Sequence, residues 1–238
     1  MAESVYAIHA FYSENDLEVD SYLSRPLDSK MRPGIVLLHE WWGLDNHHRE
    51  ITRKLAREGY VVLTPHLYGR ETKPTTDREE AARRKVSLNL EQTVREIELG
   101  ADYLRKLPYV SENLGIVGFC MGGGLALLAL CETDDFQAGV SYYPSIYPSQ
   151  DSLQGLTAPV LFHSGAEDFP THRSELKRIK QGLSEIREEM DRNENGYEYY
   201  EYEDAGHAFM NPEYSYYNER AASQSWERTV AFLNDQLK

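Results

Sequence analysis

The chain has 238 residues, of which 41% are hydrophobic and 27% are charged, a composition that excludes disordered, collagen-like and disulfide-stapled proteins. Its formal charge of −14, from 25 basic and 39 acidic residues, argues against nucleic acid and anionic membrane surfaces as partners, because no basic block is present to bind phosphate groups. The length suffices to bury a full core, and the composition does not change in the middle of the chain. We therefore expect one domain over residues 1–238.

Short apolar runs alternate with amphipathic or charged segments, which predicts an alternation of strands and helices. The first two strands are joined by a polar turn, and the later ones are nearly all apolar, as in strands buried on both faces of a parallel sheet. Strands are predicted over residues 5–12, 17–24, 34–40, 60–65, 114–120, 138–144, 158–165 and 197–204. Helices are predicted over residues 47–59, 77–106 with one or two breaks, 121–131, 172–193 and 216–238. Repeated strand–helix–strand units imply an α/β fold with a mostly parallel sheet.

Residues 114–131 carry no charge over 18 positions, which is the lower edge of a membrane-spanning length. Five glycines interrupt this run and acidic residues follow it, so a strand that leads into a buried helix explains it better. The polar N-terminus has no signal-peptide pattern, and the two cysteines, Cys120 and Cys131, are too few for a disulfide framework. We expect a cytoplasmic protein that does not bind a membrane.

The sharpest motif is G-x-C-x-G-G at residues 118–123, where a predicted strand meets a predicted helix. It matches a nucleophile elbow in which Cys120 replaces the usual serine. Glycine suits the positions two residues before and after a nucleophile, because side chains there would clash in so sharp a turn. The N–H groups at the helix start favour both a thiolate and an oxyanion. The alternative is a buried structural cysteine, which is what we expect of Cys131.

A cysteine nucleophile needs a base and a group that orients the base. Asp168 follows the strand at 158–165 and His207 follows the strand at 197–204, so both lie at strand ends, where open α/β sheets form their sites. The chain order of nucleophile, acid and histidine is that of α/β-hydrolases. Glu167 is the competing acid. Taken singly, Asp168 is also compatible with a helix cap, and His207 with an ordinary surface or core histidine.

The segment after the strand at 34–40 is a further candidate. In α/β-hydrolases this loop supplies the second oxyanion N–H, so we expect the backbone N–H groups of Trp41 and Met121 to act together. Metal binding is the alternative, because three histidines and a glutamate lie between residues 39 and 48. The H-E-x-x-H pattern is not met, since Gly43 stands where its second histidine belongs, and we expect no metal. Trp41 and Trp42 suit either a pocket wall or the core.

With these residues in place, the chain resembles the dienelactone hydrolase (carboxymethylenebutenolidase) family over roughly residues 17–235. The similarity lies in residues 39–43, 49–70, 118–123, 163–169 and 204–209. The resemblance implies an α/β-hydrolase fold with helices on both faces, no large lid and no cofactor. It implies that Cys120 is the nucleophile, His207 the base and Asp168 the orienting acid. It also implies that Glu40 contacts the resting thiol and helps to form the thiolate when substrate binds.

The resemblance further implies that Arg78 binds substrate, and Trp42 and Phe169 are additional pocket candidates. A family tyrosine falls at Ala82 and a family arginine falls at Asn211, so dienelactone specificity is not expected to carry over. We expect a hydrolase of small carboxylic esters or lactones. The alternatives are thioester hydrolysis or acyl transfer at the same site, and a non-catalytic ligand-binding protein on this scaffold. The oligomeric state stays open, with a slight preference for a monomer.

Overall fold

The computed structural model describes residues 4–69, 72–190 and 196–238. Its strands are β1 (Val5–Glu14), β2 (Leu17–Pro26), β3 (Arg32–Leu38), β4 (Val61–Pro65), β5 (Val110–Phe119), β6 (Ala138–Tyr142), β7 (Val160–Gly165) and β8 (Tyr197–Tyr202). Its helices are α1 (Asn46–Arg57), α2 (Arg78–Val86), α3 (Leu90–Arg105), α4 (Met121–Glu132), α5 (Gln150–Leu153), α6 (Pro170–Met190) and α7 (Glu219–Leu237).

The eight strands form one sheet in the order β1-β2-β4-β3-β5-β6-β7-β8. Strand β2 is antiparallel to both of its neighbours, and every pair from β4 to β8 is parallel. The predicted mostly parallel sheet of an α/β fold is therefore confirmed. Because β3, β5, β6, β7 and β8 run in one direction, the segments that follow them emerge at the same edge of the sheet.

The sheet has a separate apolar core on each face. Successive residues of a strand point to opposite faces, so Ile35 and Leu37 of β3 join one core while Val36 and Leu38 join the other. Helices α1 and α7 cover the first core, and α3, α4 and α6 cover the second. Both faces of the sheet are thus buried, which explains the nearly all-apolar strands of the sequence.

Several predicted boundaries differ from the structure. Strand β3 ends at Leu38, so His39 and Glu40 belong to the following turn, and β6 ends at Tyr142. The last helix begins at Glu219, because the Asn218 side chain caps it. The predicted helical segment at 77–106 has one break, between α2 and α3, as expected. The predicted end of α6 at residue 193 lies outside the described residues, and α5 was not predicted.

The uncharged run at residues 114–131 forms the end of β5 and most of α4, so the predicted strand followed by a buried helix is confirmed. Its side chains are almost all buried within the protein. Among the helices of the described residues, none is both long and apolar enough to cross a bilayer.

Candidate active site

Cys120 forms the sharp turn between β5 and α4. Its backbone has φ +53° and ψ −111°, a left-handed conformation that is strained for a residue with a side chain. A Cβ atom on Gly118 would lie 2.0 Å from the carbonyl oxygen of Gly122, and a Cβ atom on Gly122 would lie 2.4 Å from the carbonyl oxygen of Leu38. Both glycines are required because the helix passes directly over the strand end. The turn presents the sulfur at the edge of the sheet where the strands end.

His207 lies between Cys120 and Asp168. Its Nε2 atom is 3.1 Å from Cys120 Sγ, and its Nδ1 atom is 3.0 Å from each carboxylate oxygen of Asp168. Asp168 is buried, and its Oδ1 atom also accepts the backbone N–H of Phe169 at 2.6 Å. Glu167, the competing acid, is exposed. The structure therefore brings together the three residues that the strand-end argument selected.

Charge interactions in this chain of groups outweigh the cost of burial. Burial opposes a charge on His207, but the interaction with a negative charge on the Cys120 sulfur and the hydrogen bond to Asp168 raise the pKa of His207 to about 10. Burial also opposes ionisation of Asp168, but hydrogen bonds from His172 and His207 lower its pKa to about 2. The arrangement favours a carboxylate next to an imidazolium that can stabilise a thiolate.

A second histidine on Asp168 was missed by the sequence analysis. His172 Nδ1 lies 3.1 Å from Asp168 Oδ1, and its ring centre is 4.8 Å from that of His207. The spacing of four residues at a helix start was the available signal, because such positions share a helix face. Ligand atoms of Asp168, His172 and His207 lie within 4.8 Å of one another, the one such set among the described residues that could hold a metal ion. Each ring is already paired with the carboxylate.

The turn that carries Glu40 is held by buried histidines. His39 Nδ1 donates to the carbonyl of Glu40 at 2.6 Å, and His39 Nε2 accepts the N–H of Leu67 at 3.2 Å. His48 binds Asp45 through Nδ1 at 2.6 Å and accepts the N–H of Glu40 through Nε2 at 3.2 Å. All four ring nitrogens are thus in use as structural hydrogen bonds, so neither of these two rings has a nitrogen left for a metal ion.

Glu40 is buried with an incompletely paired carboxyl group. Its Oε2 atom lies 3.4 Å from Nδ2 of Asn211, and its Oε1 atom has no hydrogen-bond partner among the described residues. Burial raises the pKa of Glu40, although the charges of His48 and His207 act in the opposite direction. A buried carboxyl group with a free oxygen is suited to accept a proton. The contacts of Cys120 Sγ in the structure are His207 and Ser145 rather than Glu40.

A mainly apolar pocket of about 300 Å³ lies over Cys120 and His207. Its volume is at the small end of ligand-binding cavities. Trp42 stacks on Tyr214 with ring centres 5.4 Å apart. The remaining lining residues are Glu40, Trp41, Arg78, Lys85, Ser145, Phe169, His172, Ala208 and Tyr216.

Arg78, predicted from the resemblance, and the additional candidates Trp42 and Phe169 all line this pocket. Both tryptophans do so, which favours the pocket-wall interpretation over the core. Ala82 and Asn211, which the resemblance aligns with pocket positions of the family, are not among its lining residues. Asn211 instead contacts Glu40.

Two further residues of the site, Tyr68 and Ser145, were missed by sequence reasoning. The Tyr68 hydroxyl donates to the carbonyl of Trp41 at 3.0 Å and lies 3.1 Å from the sulfur of Met121, so it touches both predicted oxyanion residues. Ser145 Oγ lies 3.3 Å from Cys120 Sγ. Ser145 follows the end of β6, so the strand-end argument applied to it as well. Tyr68 had no comparable signal.

A nucleophile elbow followed by an acid and a histidine after later strands of a mostly parallel sheet defines an α/β-hydrolase. The family model for the dienelactone hydrolase family matches residues 19–237, and the chain belongs to this family of hydrolases. It is 28% identical over 208 residues to the carboxymethylenebutenolidase of Pseudomonas putida, covering 84% of this chain and 85% of that one. It is 28% identical over 239 residues to the carboxymethylenebutenolidase of Rhodococcus opacus, covering 91% and 86%.

Solved structures agree on the fold. A dienelactone hydrolase-like promiscuous phosphotriesterase from metagenomic libraries superposes with a TM-score of 0.83 at 18% identity, covering 98% of this chain and 99% of that one. An acylaminoacyl peptidase of Pyrococcus horikoshii has a TM-score of 0.76 at 18% identity, and the match covers 99% of this chain but 42% of the peptidase. The shared fold therefore occurs both alone and as part of longer enzymes.

Proposed function

We propose that the protein hydrolyses small carboxylic esters or lactones through a Cys120–His207–Asp168 triad and a thioester acyl-enzyme. The observation that carries this proposal is the chain of contacts from Cys120 Sγ through both nitrogens of His207 to the buried Asp168, at 3.1 and 3.0 Å. The sulfur faces a pocket of about 300 Å³, which suits a small substrate.

In the proposed reaction, the thiolate of Cys120 attacks the ester carbonyl, and the backbone N–H groups of Trp41 and Met121 bind the oxyanion. His207 protonates the departing alcohol, which in a lactone remains attached to the acyl group. His207 then takes a proton from water, which attacks the thioester and releases the acid. Asp168 keeps the imidazole oriented throughout. When Cys120 starts as a thiol beside a protonated His207, Glu40 accepts the thiol proton and returns it to the sulfur after the acid has left.

The substrate class is inferred from the pocket and the relatives. Five of the pocket's lining residues are Trp, Tyr or Phe, and Arg78 and Lys85 are its arginine and lysine side chains. The Pseudomonas and Rhodococcus relatives are named carboxymethylenebutenolidases, which favours a butenolide lactone as a substrate to test. Asn211 on Glu40 in place of a pocket arginine argues for a changed specificity within this class.

The test is hydrolysis of a short p-nitrophenyl ester panel and a dienelactone by wild type, Cys120→Ala and Cys131→Ala. Cys131 is a matched control, because it is also a free cysteine but lies outside the pocket. Burial raises the pKa of its thiol. We expect Cys120→Ala to lose at least about 10³-fold in kcat and Cys131→Ala to retain full activity.

The acyl-enzyme is tested separately by intact mass. Wild type quenched during turnover should carry one acyl group that hydroxylamine removes and that Cys120→Ala lacks. Retained turnover in Cys120→Ala would contradict the proposal, and an acyl group on another residue would assign the nucleophile elsewhere.

A further inference from the structure

Ser145 is bound to the nucleophile elbow at two points. Its backbone N–H donates to the carbonyl oxygen of Cys120 at 3.0 Å, and its Oγ atom lies 3.3 Å from Cys120 Sγ. The backbone contact fixes the residue to the elbow, so the hydroxyl remains beside the sulfur. Cys120 Sγ thus has a second polar neighbour besides the imidazole of His207.

Lys85 determines which way the Ser145 hydroxyl points. Its Nζ atom lies 2.9 Å from Ser145 Oγ and 2.8 Å from the carbonyl oxygen of Ser145. An ammonium group donates hydrogen bonds and cannot accept them, so Ser145 Oγ accepts from Lys85. The proton of the hydroxyl is then free to be directed at Cys120 Sγ. Lys85 is in the last turn of α2, so the position of this helix places the ammonium group beside Ser145.

Other titratable groups face the sulfur, but most of them are neutral. The charge of Cys120 interacts with four tyrosines whose pKa values burial raises: Tyr68, Tyr143, Tyr147 and Tyr214. Burial lowers the pKa of Lys85, while the sulfur charge acts in the opposite direction. Arg78 and His172 line the same pocket without a hydrogen bond to the sulfur, and Glu40 is the neighbouring acid.

We propose that Ser145 is a catalytic residue that donates a hydrogen bond to the thiolate of Cys120, and that Lys85 is the positioning residue that directs it. This inference rests on the proposed function, in which Cys120 is the nucleophile. The pair acts most strongly when sulfur is the leaving group. Water adds to the thioester carbonyl and gives its proton to His207, the C–S bond then breaks, and its electron pair goes to the sulfur.

The hydrogen bond from Ser145 and the cation of Lys85 stabilise that departing thiolate. The same contact makes the thiolate a weaker nucleophile in the first half of the reaction, so the pair favours deacylation over acylation. Removing either member of the Ser145–Lys85 pair is therefore expected to make deacylation rate-limiting and to let the acyl-enzyme accumulate. A residue that only packs against the elbow would not change this partition.

The experiment compares Ser145→Ala and Lys85→Met with Arg83→Met. Arg83→Met is a matched control on α2, because it removes the same charge. The Arg83 side chain is 70% exposed and lies outside the pocket. The first readout is the rate of Cys120 alkylation by iodoacetamide against pH. We expect the midpoint to rise by about 1 pH unit in Ser145→Ala and Lys85→Met, and to stay unchanged in Arg83→Met.

The second readout is p-nitrophenyl acetate turnover. We expect kcat and KM to fall together by about tenfold in both variants, with a burst of one p-nitrophenolate per enzyme. Ser145→Thr and Lys85→Arg should restore the wild-type midpoint, which excludes misfolding as the cause.

Wild-type midpoints and no burst in both variants would overturn the proposal, as would equal effects of Lys85→Met and Arg83→Met. Failure of the proposed function is distinguishable, because Cys120→Ala would then retain turnover whatever the Ser145 variants do.

Discussion

The imidazole of His172 shares the carboxylate of Asp168 with the catalytic candidate His207, through a contact of 3.1 Å to Oδ1. The same oxygen accepts the backbone N–H of Phe169 at 2.6 Å. Asp168 therefore has two imidazole partners, and only one of them also contacts the Cys120 sulfur. His207 lies between Asp168 and the sulfur, whereas His172 pairs with the acid, has no hydrogen bond to the sulfur and lines the pocket.

The first prediction separates these two partners. Asp168→Asn should lower kcat by about 10³–10⁴-fold, because His207 loses the group that orients it and stabilises its charge. His172→Asn should lower kcat by less than about fivefold, because the pair of His207 with Asp168 persists. Steady-state kinetics on one p-nitrophenyl ester measures both. A loss in His172→Asn as large as that in Asp168→Asn would place His172 within the triad machinery.

The second prediction concerns stability at low pH. Burial, together with the charge of His48, lowers the pKa of His47 to about 3, and its Nε2 atom has no hydrogen-bond partner among the described residues. Between the ordinary value of about 6.5 and the folded value, the unfolded chain binds the proton and the folded chain does not. The free energy of unfolding therefore falls as the pH decreases through this window. By pH 4.5 His47 alone should account for about 2–3 kcal/mol of the loss.

His47→Leu removes this titration and an unpaired buried nitrogen. We expect its free energy of unfolding to match or exceed the wild-type value at pH 7, and to fall by about 2–3 kcal/mol less by pH 4.5. His9→Leu is the control, because His9 is exposed on β1. Urea unfolding at pH 7.0, 5.5 and 4.5 measures the difference, and parallel pH curves for His47→Leu and wild type would refute the assignment.

The strand-end residues of the site could be predicted from the sequence because of one geometric rule. Parallel strands place their carboxyl ends at one edge, so polar residues after successive strands meet there. Cys120, Asp168 and His207 follow β5, β7 and β8, and their contacts need no further information about packing. Ser145 after β6 obeys the same rule and was overlooked because a lone serine has no motif around it.

Lys85 could not be predicted, because its role depends on how α2 packs. Arg83, Arg84 and Lys85 are consecutive cations on a charged helix, and periodicity does not distinguish them. In the structure Arg84 pairs with Glu80, Arg83 is exposed, and Lys85 alone among them reaches Ser145.

The start of β5 was predicted at residue 114 but lies at Val110, for a related reason. The first residues of β5 are partly polar and pair with β3 across a register shift, which breaks the apolar pattern.

The third prediction tests whether Tyr68 positions the predicted oxyanion hole. Tyr68→Phe removes the 3.0 Å hydrogen bond to the carbonyl of Trp41, so the neighbouring N–H is held less firmly. We expect kcat to fall by about tenfold with little change in KM, less than the loss of a whole oxyanion donor. Tyr60→Phe is the control, since it loses a 2.9 Å bond to Asn234 on α7. Equal kcat values for the two variants would show that Tyr68 has only a structural role.

The fourth prediction concerns the elbow itself, through two glycines with opposite surroundings. A Cβ atom on Gly122 would lie 2.4 Å from the carbonyl oxygen of Leu38, and backbone cannot move aside as a side chain can. A Cβ atom on Gly206, which precedes His207, would have its nearest neighbour at 3.7 Å. Gly122→Ala should therefore lower the free energy of unfolding by about 3 kcal/mol or more, and Gly206→Ala should change it by less than about 0.5 kcal/mol.

Urea unfolding followed by tryptophan fluorescence measures both variants under one condition. If Gly122→Ala were as stable as Gly206→Ala, α4 would have to lie farther from the end of β3 than the structure shows. The N–H groups at the start of α4 would then be too far from Trp41 to share one oxyanion with it. The stability of one alanine variant thus tests the geometry on which the proposed chemistry depends.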